Sequence, residues 1–241
     1  MRDDHGTPSE AVKDKTRQFF ADAAVCGLSA IALGTNAPLV LREEAAEYPK
    51  DGGVTVFGST AAVCPEKAIA ANCSAVREWD SNGTNFGYNP ALGHTAGEFG
   101  HNDFYAVPVA AAQLTGADGA AALRGMILHD EIRGRLAEVF SLKTYKIDHV
   151  VHGAIASAAV YGAMMGATAE QIESAYRELI EAVDIVAERQ GIDIVTQFVP
   201  TGEPFDAETM DVASLQVRRR GLLRYPDEID ITEAVAEELG L

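Results

Sequence analysis

Basic residues are scarce in this sequence. It contains 19 Lys and Arg against 36 Asp and Glu, which gives a formal net charge of -17 and a pI of about 4.6. A surface this acidic repels nucleic acid and anionic membranes, so we expect neither as a partner. It also repels di- and tricarboxylates, so a substrate of that kind needs a local cluster of cationic side chains and backbone N–H groups.

Cysteines and long apolar runs are also few. The three cysteines, Cys26, Cys64 and Cys73, are odd in number and widely spaced, which argues against a disulfide framework and an iron–sulfur cluster. No apolar run reaches about 18 residues, so no membrane span is expected. The first residues are polar and lack the apolar core of a secretory signal, so we predict a cytoplasmic location.

Helical patterns dominate what is present. Hydrophobic residues make up 47% of the chain, enough for a sizeable core. Apolar residues such as Phe19, Ala23 and Gly27 recur at helical spacing, and Ser9 precedes them as a candidate N-cap. We predict a mainly α-helical bundle with a short extended segment near Val54, and a short β-containing tail.

Three regions follow from this pattern. We predict a disordered lead over residues 1–14 and a helical domain over 15–175. Residues 176–241 then form a divergent helix with a small α/β tail, which contains β-like runs at 192–199 and 212–217 and a final acidic helix.

The first candidate site lies in a loop of about 20 residues that follows a predicted helix. A loop of this length inside a compact domain is more often functional than not. It holds Asp80, Asn82, Thr84, His94 and His101. Carboxylate, hydroxyl and imidazole groups together can transfer protons and bind a carboxylate substrate. Two other interpretations stay open: ordinary turn formation by Asp, Asn, Gly and Thr, and a calcium loop, although the spacing to a closing Glu is wrong for one.

The second candidate site lies between two predicted helices. It contains Lys143, Lys146, His149 and His152, an unusual concentration of positive charge in so acidic a chain. Such a cluster suits a multiply charged anionic substrate. The alternatives are a metal site, which lacks a further ligand at helical spacing, and a cationic helix cap or buried core histidine.

Four segments, in this order and spacing, resemble the MmgE/PrpD family, the group that contains 2-methylcitrate dehydratase. They are ANCSAVREWDSNGT, FGHNDFYAVPVAAA, MILHDEIRGRL and IDHVVHGAIASAAVYGAMMG. The resemblance places Asp80 and Thr84 at the family's signature positions, with Asn82 where an acidic residue is common. It also places His101 and His149 at the family's imidazole positions.

This resemblance implies a helical domain that forms a homodimer and acts on citrate-like di- or tricarboxylates without a metal or cofactor. It implies dehydration, or decarboxylation, in which His101 and His149 exchange protons and Asp80 orients an imidazole or acts as the base. Thr84 and Lys146 would position substrate carboxylates, with Asn82 and His152 as further contacts.

Two departures from the family pattern limit this expectation. Asn102 follows His101 where the family has proline, and no lysine follows Lys146 and no histidine follows His152. Family members are considerably longer and supply a catalytic Lys and a further His from that later region. We therefore expect weak or no activity from the chain alone, with a partner chain completing the site. The alternatives are a non-catalytic relic that dimerises or binds an acidic metabolite, and an unrelated helical regulator.

Overall fold

The computed structural model of the protein describes residues 7–87, 89, 91, 99–139, 148, 150–175 and 177. Within them the fold is mainly α-helical with one small antiparallel sheet, as the sequence predicted. In chain order the elements are α1 (Glu10–Ala32), α2 (Asn36–Ala46), β1 (Pro49–Thr55), β2 (Ala62–Val63), α3 (Pro65–Arg77), α4 (Ala106–Thr115), α5 (Gly119–Val139) and α6 (Val150–Met164).

Helix α1 begins where its cap predicts. The Ser9 hydroxyl accepts a hydrogen bond from the Val12 backbone N–H at 3.3 Å, so the helix starts at Glu10. Residues 10–14, which we predicted within the disordered lead, are therefore helical. Gly27 lies on the buried face, and a Cβ there would stand 2.8 Å from the ring of Phe57. The absent side chain lets the segment after β1 pack directly on α1.

The hairpin and the first helices share one core. β1 and β2 pair antiparallel, with Val54 opposite Val63, and Pro65 occupies the first turn of α3, where its missing N–H costs no hydrogen bond. Alternation on the strand turns the valines inward. They pack against small side chains of α2, α3 and α4; the buried members of this core are Ala45, Val54, Val56, Val63, Ala68, Ala71 and Ala110.

Helices α4, α5 and α6 pack together as a second group. Their buried cluster contains Tyr105, Ala112, Ala122 and Met126, with Met164 of α6 packed against it. Glycines allow close packing in this group: a Cβ at Gly153 of α6 would overlap the ring of Phe104, which precedes α4. Small residues at helix contacts thus bring the backbones of this group near one another.

The chain divides into two compact units, residues 1–168 and 169–241, and all the elements above belong to the first. Of the second unit, the structure describes residues 169–175 and 177, which are helical, as predicted for the segment after Thr168. The predicted β-like runs and final helix of the tail lie outside the described residues.

In the described part of the chain, no single helix is both long and apolar enough to cross a membrane. The consecutive pair α1 and α2, bent by 90°, meets the same criteria of length and composition only when the two are taken together.

Candidate active site

Asp80 ends the turn that follows α3, and its side chain lies at the surface. Its φ of 49° is left-handed, a conformation that Asp tolerates better than most residues. The Asp80 carboxylate pairs with Arg77 at 2.8 Å, and its side chain is 62% exposed. This turn therefore directs Asp80 toward solvent and toward its own helix, and its predicted catalytic role stays a prediction.

Hydrogen bonds from Asn82 and Gly83 hold this turn in place beside the segment before α4. The buried Asn82 amide donates hydrogen bonds to Asn102 Oδ1 and Asp103 Oδ1, both at 2.7 Å. The Gly83 N–H donates to Asp22 Oδ2 at 2.8 Å, and its φ is 74°. A Cβ at Gly83 would stand 2.5 Å from Asn102 Oδ1, so glycine is needed on both counts.

Asp22 of α1 holds the same two segments together through hydrogen bonds. Asp22 Oδ2, which accepts a hydrogen bond from the Gly83 N–H, also accepts one from Asn102 Nδ2 at 3.0 Å. Asn102 Nδ2 donates a second hydrogen bond to the Phe19 carbonyl at 2.9 Å. One carboxylate on α1 thus holds two loop segments that are distant in sequence. Asn82 here positions the loop, and its predicted contact with substrate stays a prediction.

His101 is buried beside this turn and is held by it. The Thr84 backbone N–H donates to His101 Nδ1 at 3.0 Å, and the ring makes an edge contact with Phe19, with centroids 4.1 Å apart. Because Nδ1 accepts a hydrogen bond, the neutral ring carries its proton on Nε2. Nε2 has no hydrogen-bond partner among the described residues. Burial, together with the nearby Arg133 charge, lowers the pKa of His101 to about 4, so the ring is neutral at physiological pH.

Arg133 of α5 is fully buried under this segment. Its Nη1 donates to the backbone carbonyls of Gly100 at 2.8 Å and His101 at 3.1 Å. The guanidinium lies over the rings of Phe86 and Phe104, 4.8 and 5.2 Å from their centroids. Carbonyl acceptors and aromatic faces are the environment in which a buried guanidinium can remain charged. Arg133 therefore fixes the backbone that carries His101.

The half-buried Asp130 and the buried Tyr105 form a hydrogen-bonded pair next to Arg133. The Tyr105 hydroxyl donates to Asp130 Oδ2 at 2.5 Å. Burial raises the pKa of Asp130 to about 7, against the opposing effects of the Tyr105 hydrogen bond and the Arg133 charge. Asp130 Oδ1 is buried and has no hydrogen-bond partner among the described residues. This carboxyl group therefore changes protonation near neutral pH.

His129 and His152 lie deeper between α5 and α6. His129 Nε2 is 3.1 Å from the Ser157 hydroxyl, and its ring stacks on Phe104 with centroids 5.7 Å apart. Burial and the Arg133 charge lower the pKa of His129 to about 4. His152 is 2% exposed on the buried face of α6. Both imidazoles take part in helix packing.

A cavity of about 390 Å³ opens beside His101. This volume is within the range of small-molecule sites. Most of the surface that lines it is apolar, and its lining residues include two cations, a carboxyl group and an imidazole. The lining residues are Ala11, Val12, Lys15, Thr16, Phe19, Thr84, Phe86, His101, Asp130 and Arg133.

The cavity brings together some of the predicted site residues and leaves others elsewhere. His101 and Thr84 line it, whereas Asp80, Asn82 and His152 are not among the described residues that do. The predicted residues His94, Lys143, Lys146 and His149 lie outside the described residues. Their roles stay predictions.

Three lining residues with ionisable side chains were missed by the sequence argument: Lys15, Asp130 and Arg133. A signal for Arg133 was present. The buried face of α5 runs through Ala122, Met126, His129, Arg133 and Ala137, at helical spacing. A charged residue in line with apolar ones on a core-facing stripe is unusual and points to a functional or structural role.

No group of three or more His, Cys, Asp or Glu side chains suited to hold a metal ion occurs in the part of the chain that the structure describes. Whether the protein works without a metal or cofactor stays a prediction.

Comparison with protein families identifies this helical unit. The model of the MmgE/PrpD N-terminal domain matches residues 4–182. The chain belongs to the MmgE/PrpD family. This family is associated with lyase activity, in particular the dehydration of citrate-like acids. The match confirms the resemblance seen in the four sequence segments. The search of solved structures finds no match.

Proposed function

We propose that this MmgE/PrpD protein is a hydro-lyase that dehydrates a citrate-like tricarboxylate such as 2-methylcitrate. The observation that carries the proposal is the cavity at His101, where Lys15 and Arg133 supply positive charge within a chain of net charge -17. Concentrated positive charge with oriented donors is what a polycarboxylate requires in an otherwise repulsive field.

In the proposed reaction the cavity binds carboxylates and stabilises developing charge. Lys15 and the Thr84 side chain contact substrate carboxylates at the cavity mouth. The role we propose for His101 is to donate its Nε2–H to the oxygen on which negative charge develops when the carbon-bound proton leaves, because its Nδ1 is occupied by the Thr84 N–H. A neutral imidazole with a fixed tautomer donates without first losing or gaining a proton.

Binding is tested by thermal shift with 2-methylcitrate, citrate and cis-aconitate. A ligand that binds only the folded protein raises stability by about 2.7 kcal/mol at a hundredfold excess over its Kd. Lys15→Ala should weaken binding about five- to tenfold, because it removes one charge from a carboxylate contact. Lys13→Ala, on the same helix but not among the described cavity residues, is the matched control. Equal responses of both variants, or no shift with any acid, would contradict the proposal.

Catalysis is tested by the ultraviolet absorbance of the conjugated alkene product. The chain is assayed alone and with a partner chain that supplies a lysine and a histidine, since we propose a homodimer or a two-chain assembly. His149→Ala should lower the rate if this residue exchanges a proton as predicted. Binding without turnover in either assay would favour the alternative, a subunit that binds an acidic metabolite without converting it.

A further inference from the structure

Dehydration next to a carboxylate needs a group that removes a carbon-bound proton, and His101 is poorly placed to be that group. Its Nδ1 lone pair accepts from the Thr84 N–H, so its Nε2 carries a proton and has no lone pair to offer. The base is therefore another residue, and the cavity wall carries a candidate for it.

Asp130 is the carboxyl group on that wall. One oxygen, Oδ2, accepts from the Tyr105 hydroxyl, which fixes the orientation of the group. The other, Oδ1, is buried and bonded to no described residue. A buried carboxyl oxygen without a partner costs about 1–3 kcal/mol, and an apolar side chain would avoid that cost. Asp130 is also one of the residues that line the cavity, so its carboxyl group lies close to the space that a substrate would fill.

We propose that Asp130 is the proton-carrying catalytic residue of this site: its carboxylate removes the proton from the carbon next to a substrate carboxylate and returns it to the departing hydroxyl. This inference rests on the proposed dehydratase function. The C–H bond breaks as an O–H bond forms on Asp130, and the electron pair is held as the enolate of the neighbouring carboxylate. That pair then forms the new C=C bond as the C–O bond breaks, the Asp130 proton joins the departing hydroxide, and water leaves with Asp130 again ionised.

The surroundings of Asp130 support this role. The titratable or charged groups on or beside the same wall are Lys15 of α1, His101 and Tyr105 before α4, and Arg133 on α5 itself; α6, which packs on α5, adds the buried His152. Burial prevails over the Tyr105 and Arg133 effects and raises the pKa of Asp130 to about 7. A carboxylate with that pKa is a stronger base than an ordinary one and is still available near neutral pH.

The first experiment measures the Asp130 carboxyl group directly in the full wild-type chain. Carbon-13 NMR of the aspartate carboxyl groups, titrated from acid to alkaline pH, should show Asp130 titrating near pH 7. In Tyr105→Phe the titration should move to higher pH, because the hydrogen bond that favours the carboxylate is lost. A titration of Asp130 at its ordinary acidic value would overturn the inference, whether or not the chain turns over substrate.

The second experiment compares activity in Asp130→Asn, Tyr105→Phe and His149→Ala with 2-methylcitrate. Asp130→Asn keeps the acceptor for Tyr105 but cannot take a proton, so kcat should fall about 10²- to 10⁴-fold while the thermal shift with cis-aconitate is retained. In the wild type, kcat/KM should rise with pH through about 7. In Tyr105→Phe this rise should occur at a higher pH.

The outcomes separate the inference from the function on which it rests. Wild-type turnover with Asp130→Asn reduced less than threefold would overturn the role of Asp130 alone. The same conclusion follows if only His149→Ala removes the pH-dependent limb. Absence of both binding and turnover in the wild type would overturn the dehydratase function and this inference together. If wild-type chain binds the acids without turnover, the NMR titration decides.

Discussion

The substitution Asp130→Asn should stabilise the protein increasingly as the pH rises. In the wild type this carboxyl group is buried, and burial raises its pKa from 3.8 to about 7. Between these two values the folded protein holds a proton that the unfolded chain has released. The folded state binds more protons there, so the free energy of unfolding of the wild type falls as pH increases through that window. Asparagine carries no such proton and lacks this dependence.

The magnitude follows from the two pKa values. One pKa unit corresponds to about 1.4 kcal/mol, so the full shift corresponds to roughly 4 kcal/mol once the pH exceeds about 7. The hydrogen bond from Tyr105 is retained, because the asparagine side-chain oxygen also accepts. His101 and His129, whose pKa values are lowered to about 4, titrate in both proteins and cancel in the difference.

Urea unfolding followed by far-ultraviolet circular dichroism measures this difference across the pH range from about 4 to about 8. The free energy of unfolding of Asp130→Asn minus that of the wild type should grow by about 4 kcal/mol over that range. Asp51→Asn, on the exposed part of β1, makes the same chemical change at the surface and is the control for the substitution itself. Parallel stability curves for Asp130→Asn and the wild type would refute the reasoning.

Two further predictions concern helix packing and the His101 environment. Gly153→Ala should lower the free energy of unfolding by about 1–3 kcal/mol, because the added Cβ would overlap the Phe104 ring. At Gly134 a Cβ would have no neighbouring atom within 4 Å, so Gly134→Ala should raise the free energy of unfolding by about 0.5–1 kcal/mol. Urea unfolding that finds Gly153→Ala more stable than Gly134→Ala would contradict the packing described. The Arg133 charge contributes to the low pKa of His101, so Arg133→Met should raise that pKa. An unchanged pKa in histidine proton NMR would show that Arg133 does not act on His101.

Local features of the sequence are sufficient to predict most of the helices. Ser9 caps α1 by bonding a backbone N–H three residues ahead, and Pro65 starts α3 without losing a hydrogen bond. These effects act within one helical turn and need no tertiary structure. The break after α3 was also predictable, because glycine and asparagine there favour positive φ; Gly83 has a φ of 74°.

The candidate site was predictable only in part. His101 and Thr84 were predicted, and both line the cavity. Asp80, at the signature position of the same segment, lies instead at the surface, paired with Arg77. Sequence order gives the identity of loop residues, but the backbone angles of the turn decide which side chains face inward. A φ of 49° at Asp80 is such an angle, and no helical or strand periodicity predicts it.

By itself the sequence determined the helical class, the element order, the acidic surface and the family. All of these depend on composition or on residues close together in the chain. Only the tertiary structure decided that Lys15, His101, Asp130 and Arg133 share one cavity, since α1, the segment before α4, and α5 meet through packing. It also decided their chemistry. A pKa depends on burial and on neighbouring charges, and both are set by groups that lie far away in the sequence.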